Sequence, residues 1–284
     1  LPEPDARPCD PEPNPPRLLA YDGAGYPAMA SINGVAGGSG FAGAWQISTV
    51  SHSAVGVELP GLEYAGMMTT GGTFSVTGAA TNVARANRTL ARGDGMAHVL
   101  DGLKFGRASS TNWFAFLTSC ADDGTNGGYG VYLYEGASFR QRIGKSPYGM
   151  YWALGGRVSG VSSTAAYTNA LSLLVTRIIH ASGAAADGQA HVWVNPDPLG
   201  AEPDAGSAVI ASLTGTNMYF DTLAIVAESP SWVDGLGVTN YPPAPSAKID
   251  EVSFSETWEM LFDVPEPALL GVPLLAWLVV RRRS

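Results

Sequence analysis

The chain has 284 residues, a formal net charge of −9, 45% hydrophobic and 14% charged residues, 35 glycines and 20 prolines. That length suits one large or two small domains, and all-β sandwiches reach about 200–250 residues as a single domain. The acidic balance argues against a nucleic-acid partner: Arg85, Arg88 and Arg92 form the densest basic cluster ahead of the C-terminus, and no recognition motif accompanies them.

Residues 1–16, LPEPDARPCDPEPNPP, hold seven prolines and almost nothing apolar. Such a segment favours polyproline II and builds no core, so an extended N-terminal arm is predicted. The texture changes at Arg17 and holds to about Phe262. Short runs rich in Val, Ile, Tyr, Phe and Thr alternate with Gly, Asn, Asp and Ser clusters: Leu18–Tyr21, Thr73–Thr77, Asn112–Thr118, Gly130–Tyr134, Phe139–Gly144, Met150–Leu154, Leu171–His180, Gln189–Asn195, Phe220–Ala227 and Lys248–Phe254. This spacing predicts an all-β, two-sheet antiparallel sandwich over residues 17–262. Asn82–Arg92 is the best helical rival, weakened by its Asn and Thr content.

Alternation assigns faces. Ala190, Val192 and Val194 share one side of their run, opposite His191, Trp193 and Asn195. Val131 and Leu133 point inward, with Tyr132 and Tyr134 outward or into a concave face. Leu171–His180 is apolar on both sides, as expected of a central strand covered twice.

The block opens with Leu19-Ala20-Tyr21-Asp22-Gly23 and continues with Asn33-Gly34 and Gly37-Gly38-Ser39-Gly40-Phe41-Ala42-Gly43-Ala44-Trp45. It closes with Lys248-Ile249-Asp250-Glu251-Val252-Ser253-Phe254. It resembles the laminin-G-like, concanavalin-A-like domains of exported bacterial proteins. The resemblance implies a jelly roll and leaves the ligand open, because that fold hosts lectins, hydrolases and adhesion modules.

Asp250 is expected on the face of Val252 and Phe254, pointing inward. An inward carboxylate must be hydrogen-bonded or hold a cation. It either accepts backbone N–H groups from a neighbouring loop or, paired with Asp22, ligates calcium. Asp122-Asp123-Gly124-Thr125-Asn126-Gly127-Gly128 fails the EF-hand template, since Leu133 stands where a bidentate Glu is required. The Glu-x-Asp-x-x-Glu pattern of jelly-roll glycosidases is missing, because Ser253 lies between Glu251 and Glu256. G-x-S-x-G, H-E-x-x-H and P-loop motifs are also missing. A non-catalytic role is therefore expected, with a polysaccharide-active enzyme (glycoside hydrolase or lyase) as the alternative. Glycan contacts are expected at Tyr132, Tyr134, Tyr151, Trp152 and Trp193, whose flat apolar surfaces and polar tips suit a pyranose. The alternative for these aromatics is core filling.

Cys9 and Cys120 form a candidate disulfide that would staple the arm to the domain in an oxidising compartment, against two separate thiols. The histidines show no metal-ligand spacing.

The final residues, 263–284, form a third region. Val264-Pro265-Glu266-Pro267 precedes an uncharged run from Ala268 to Val280, containing Leu269, Leu270 and Trp277, and Arg281-Arg282-Arg283 follow. Thirteen helical residues span about 20 Å, short of a hydrocarbon core of about 30 Å. Arginine snorkelling and bilayer thinning still permit a short hydrophobic helix to anchor, and Pro273 favours a transient anchor. The order of these parts resembles the PEP-CTERM sorting signal. That implies export, an exosortase-type processing enzyme as partner, transient residence in the inner membrane, and release to the cell surface or extracellular matrix beside exopolysaccharide. Together with the start at Leu1, the tail predicts a signal peptide already removed.

Overall fold

The computed structural model describes residues 15–48, 54–67, 69, 71–77, 83–93, 96–121, 127–147, 151–155, 160–166, 170–180, 188–211, 218–229, 232–233, 239–240 and 245–263. The predicted arm, Cys9 and the sorting tail from Val264 to Ser284 lie outside these residues.

Nearly every element is a strand. In chain order they are β1 Leu18–Asp22, β2 Gln46–Ile47, β3 Ala54–Glu58, β4 Thr73–Thr77, β5 Ala84–Thr89, β6 Leu100–Asp101, β7 Lys104–Phe105, β8 Thr111–Cys120, β9 Gly128–Glu135 and β10 Ser138–Lys145. There follow β11 Tyr151–Gly155, β12 Gly160–Ala166, β13 Ser172–Ile179, β14 Gln189–Val194, β15 Ile210–Ala211, β16 Thr222–Glu228, β17 Trp232–Val233, β18 Thr239–Asn240 and β19 Ser246–Ser255. A single helical turn, α1 Trp258–Phe262, ends the described chain, capped by the Thr257 hydroxyl accepting from the Met260 N–H.

Two antiparallel sheets carry the architecture. One is eight-stranded, β15-β14-β13-β8-β19-β4-β3, with β1 paired beside β4 on the same edge of β19; the other is seven-stranded, β12-β11-β10-β9-β16-β5-β2. Their facing sides enclose the main core. Phe74, Phe114, Phe116, Ile249 and Phe254 come from the first sheet, and Tyr129, Val131, Leu133, Ile143 and Ile225 from the second. Phe114 and Phe254 stack at 4.5 Å across neighbouring strands, with Phe105 and Phe220 edge-on around them. The chain is an all-β, two-sheet antiparallel sandwich, consistent with a jelly roll.

Around β8, β13 and β14 the eight-stranded sheet is buried on both sides, as the double apolar pattern of Leu171–His180 predicts for that strand. Trp113, Ala115, Leu117, Leu173, Val175 and Trp193 face away from the main core and pack under Leu62, Tyr64, Met67, Ala208 and α1. The short helix α1 buries Trp258 and Leu261; the run Ala268–Val280, where a C-terminal hydrophobic helix is expected, lies outside the described residues. No helix among the described residues is long and apolar enough to cross a membrane.

Two expectations change. The helical rival Asn82–Arg92 contains β5, because Ala84 and Ala86 alternate with Arg85 and Asn87 and the segment is paired on both edges, by β16 and β2. Asp250 does not share a face with Val252 and Phe254. On β8 the single residue Phe116 lies opposite both Glu251 and Val252, between the pairs Asp250↔Leu117 and Ser253↔Ala115. This bulge reverses the alternation, with Glu251 held at φ 50°, so Asp250 stands with Leu117 on the side away from the main core.

Candidate functional site

The outward side of the seven-stranded sheet carries a row of polar and aromatic residues that leads to an open cavity at its β2 edge. Register places Tyr132 between Ala224 and Arg142, and Tyr134 between Thr222 and Phe139. The Tyr132 hydroxyl donates to Glu228 Oε1 at 2.7 Å, and Arg142 approaches the same oxygen at 3.6 Å. Burial, reinforced by the Glu228 carboxylate, holds the Tyr132 phenol well above its ordinary range. Arg85 lies over the Tyr134 ring at 5.1 Å and donates to its hydroxyl at 3.1 Å and to Ser48 at 2.9 Å.

The same side continues to the β2 edge. Asn87 pairs with Ala224 and with Gln46, which puts both amides on the Tyr132 side, Asn87 about 10 Å away across two strand spacings and Gln46 about 14 Å away across three. There the sheet opens into a cavity of about 320 Å³ lined by Ala42, Gly43, Ala44, Gln46, Asn87, Arg88 and Thr89. Gln46 and Thr89 are exposed and Asn87 is half-buried.

Arg88 fixes the loop that forms this cavity. Its guanidinium lies between the sheets, 3% exposed, and donates to Asp22 at 2.6 Å, to the Gly37 carbonyl at 2.6 Å and to the Gly43 carbonyl at 2.7 Å. Phe41 stacks on it at 4.2 Å and Trp45 at 5.6 Å. Asp22 also accepts from Tyr26 Oη, Trp45 Nε1 and the Ala24 N–H. Burial raises its pKa, opposed by the Tyr26 hydrogen bond and by Arg88. The glycine-rich stretch lies directly on β1 through the Tyr21–Ser39 bridge. At Gly40, with φ +74°, a Cβ would stand 1.9 Å from the Leu19 carbonyl oxygen, so only glycine fits.

The structure does not bring together Asp22 and Asp250, the pair expected to ligate calcium. The cation at Asp22 is Arg88. Asp250, on the other side of the sheet, accepts the N–H groups of Leu62 and Glu251 at 2.8 and 2.9 Å, the alternative foreseen for it. Burial and the Glu251 charge push its pKa up to about 8, against those two hydrogen bonds. Among the described residues no group of three or more His, Cys, Asp or Glu could hold a metal ion.

Four of the five aromatics expected to contact a glycan are buried. Tyr132, Tyr134 and Trp193 are at most 8% exposed, and Trp152 belongs to the main core. Trp193 stacks on Trp113 at 5.7 Å while its Nε1 donates to the Asp204 carbonyl and Ser207 Oγ, both at 3.2 Å. Arg177 lies 5.5 Å from both indoles and pairs with Glu202. Of Tyr151 only its place in β11 is described. Cys120 is buried at the end of β8; its proposed partner Cys9 lies outside the described residues. Gln46, Asn87, Arg142 and Glu228 were not singled out from sequence. The signal for Asn87 was the alternation of Ala84 and Ala86, hidden by a segment that also suits a helix.

No family model matches the chain, and no curated protein matches its sequence. Among solved structures it is similar to an endo-β-1,4-glucuronan lyase from the fungus Trichoderma reesei, at 12% identity and TM-score 0.46, over 85% of this chain and 96% of that one. It is also similar to domain 4 of AbnA, an extracellular arabinanase of Geobacillus stearothermophilus solved with arabinotriose, at 14% identity and TM-score 0.41, over 87% and 98%. A botulinum neurotoxin D/C binding domain gives 8% identity and TM-score 0.45 over 87% of this chain, which spans about half (51%) of that one. At such identities and scores, the architecture rests on the strand order and register set out above.

Proposed function

We propose that the chain is an exported, non-catalytic module that contacts a glycan of the cell surface or extracellular matrix. The observation that carries this reading is the open cavity of about 320 Å³ on the outward side of the seven-stranded sheet, walled by Gln46, Asn87 and Thr89. Its volume lies at the lower end of small-ligand pockets, and its amide and hydroxyl groups offer both donors and acceptors to sugar hydroxyls. Export rests on the order of Val264-Pro265-Glu266-Pro267, the apolar run and Arg281–Arg283. An exosortase-type enzyme would process this tail during transient anchoring in the inner membrane. A polysaccharide-active enzyme on the same fold has one observation in its favour, the Tyr132–Glu228–Arg142 grouping. All three side chains are buried, which weighs against substrate access.

A glycan array probed with the full chain, with and without calcium, tests the glycan contact. Binding to at least one glycan without cleavage is expected, and silence in both conditions would remove it. Release of new reducing ends or unsaturated uronate products would favour the enzyme. For export, the mass of the protein recovered from envelope and matrix fractions should correspond to loss of the tail near Pro265-Glu266-Pro267; an intact C-terminus there would count against processing.

A further inference from the structure

We propose that the cavity at the β2–β5 edge is the subsite for a neutral sugar unit, held by Asn87, Gln46 and Thr89, and that it discriminates against uronate residues. This rests on the glycan-contact reading and assigns it a place and a ligand class. Three observations carry it. The first is the lining: two amides and a hydroxyl on adjacent strands, with Gln46 directly opposite Asn87. Each amide presents an acceptor oxygen and a donor nitrogen, which matches hydroxyl groups that donate and accept in turn.

The second is the state of the nearby cations. A uronate carboxylate is best bound by an arginine free to form a bidentate pair. Arg88 lines the cavity, yet its guanidinium is fixed by Asp22, Gly37 and Gly43 and lies against the Phe41 and Trp45 rings. Arg85 is held by Tyr134 and Ser48. An anionic sugar entering here would disrupt those contacts, on a chain of net charge −9. The third is the built character of the rim. Arg88 anchors the Gly43 carbonyl from below, and the Ala42 N–H bonds the Thr89 carbonyl at 3.0 Å, so the wall is fixed to β5 before any ligand arrives.

The test uses the full chain in affinity electrophoresis and titration calorimetry. The probes are neutral polymers (glucan, mannan, galactan, xylan) and uronate polymers (alginate, pectate, glucuronan). Asn87→Ala removes an amide contact. Gly43→Leu fills the cavity, since a Cβ at Gly43 meets nothing within 4 Å. Thr89→Ala, at an exposed position, serves where either variant melts early. Binding to a neutral polymer is expected, weakened about tenfold in Asn87→Ala and abolished in Gly43→Leu, with melting temperatures unchanged. Binding confined to uronate polymers, or neutral binding untouched by both variants, would overturn the subsite while leaving glycan contact intact. No binding to any polymer would overturn the glycan reading with it.

Discussion

Replacing Arg88 by Met tests what holds the glycine-rich loop to the sandwich. Arg88 and Asp22 are 3% and 1% exposed, with Nη1 and Oδ2 2.6 Å apart. Removing one member of a buried pair costs about 3–5 kcal/mol, because the other charge is left uncompensated. At roughly 2–4 °C per kcal/mol for a domain of this size, the melting temperature should fall by roughly 6–20 °C. Loss of the bonds to Gly37 and Gly43 should also open the segment between β1 and β2 to protease.

The pH dependence gives a sharper readout. Burial already raises the Asp22 pKa, and Arg88 opposes that. Without Arg88 the pKa rises further. A carboxyl raised on folding contributes its stability at low pH and loses it as pH climbs through the folded value. The Arg88→Met deficit should therefore be larger near neutrality than in acid. Urea melts of Arg88→Met, Asp22→Asn and the double variant complete a cycle, in which the double variant should lose less than the sum. A deficit under about 1 kcal/mol for Arg88→Met, or strict additivity within about 0.5 kcal/mol, would refute the argument.

Asp250, raised from 3.8 to about 8, should destabilise the fold progressively as pH rises between those values. Asp250→Asn should thus gain on the parent at alkaline pH, as read from urea midpoints, and an equal pH slope in the two proteins would refute this. His180 has the opposite sign. Burial lowers its pKa from 6.5 to about 4, and it is bonded to Asn112 at 3.0 Å, so its stability is present above pH 6.5 and lost as pH falls through 4. His180→Asn should flatten that acid limb. Trp193→Ala should cost about 3–5 kcal/mol by chemical denaturation, as removal of a buried indole does. It should leave the glycan affinity of the residual folded protein unchanged.

The main strands were legible because their β-branched and aromatic runs alternate cleanly between turn residues. The predicted run Thr73–Thr77 coincides with β4, and Gln189–Asn195 with β14 to within one residue. Strands with diluted signals were missed. In β3 the sequence Ala54-Val55-Gly56-Val57-Glu58 is interrupted by Gly56, where a Cβ would lie 2.4 Å from the Met29 carbonyl oxygen. The glycine that weakens the pattern is the residue that lets another segment cross. The outward faces were legible as faces but not as surfaces. Alternation puts Tyr132 and Trp193 on the side away from the main core, yet both are buried there, and period 2 carries no information about what covers a sheet.

The two acidic residues singled out show where local pattern stops being enough. Asp22 was expected to be hydrogen-bonded or to hold a cation, and it does both. That cation comes from Arg88, 66 residues along the chain and on the other sheet, a pairing no local pattern contains. Asp250 failed at a finer scale. Its face was inferred from Val252 and Phe254, a valid step along any uninterrupted strand. One bulged residue reverses the parity, because Glu251 takes φ 50° and its carboxylate accepts from the Tyr21 hydroxyl. Asp250 is thereby carried to the Leu62 N–H on the far side of the sheet. The bulge puts two neighbouring carboxylates into separate buried settings, and the Glu251 charge is second only to burial in raising the Asp250 pKa. Adding a residue to the bulge or removing one would exchange the faces of Asp250 and Ile249, exposing the main core to a carboxylate. The acidic pair in Ile-Asp-Glu-Val is therefore tied to backbone geometry before any ligand is considered.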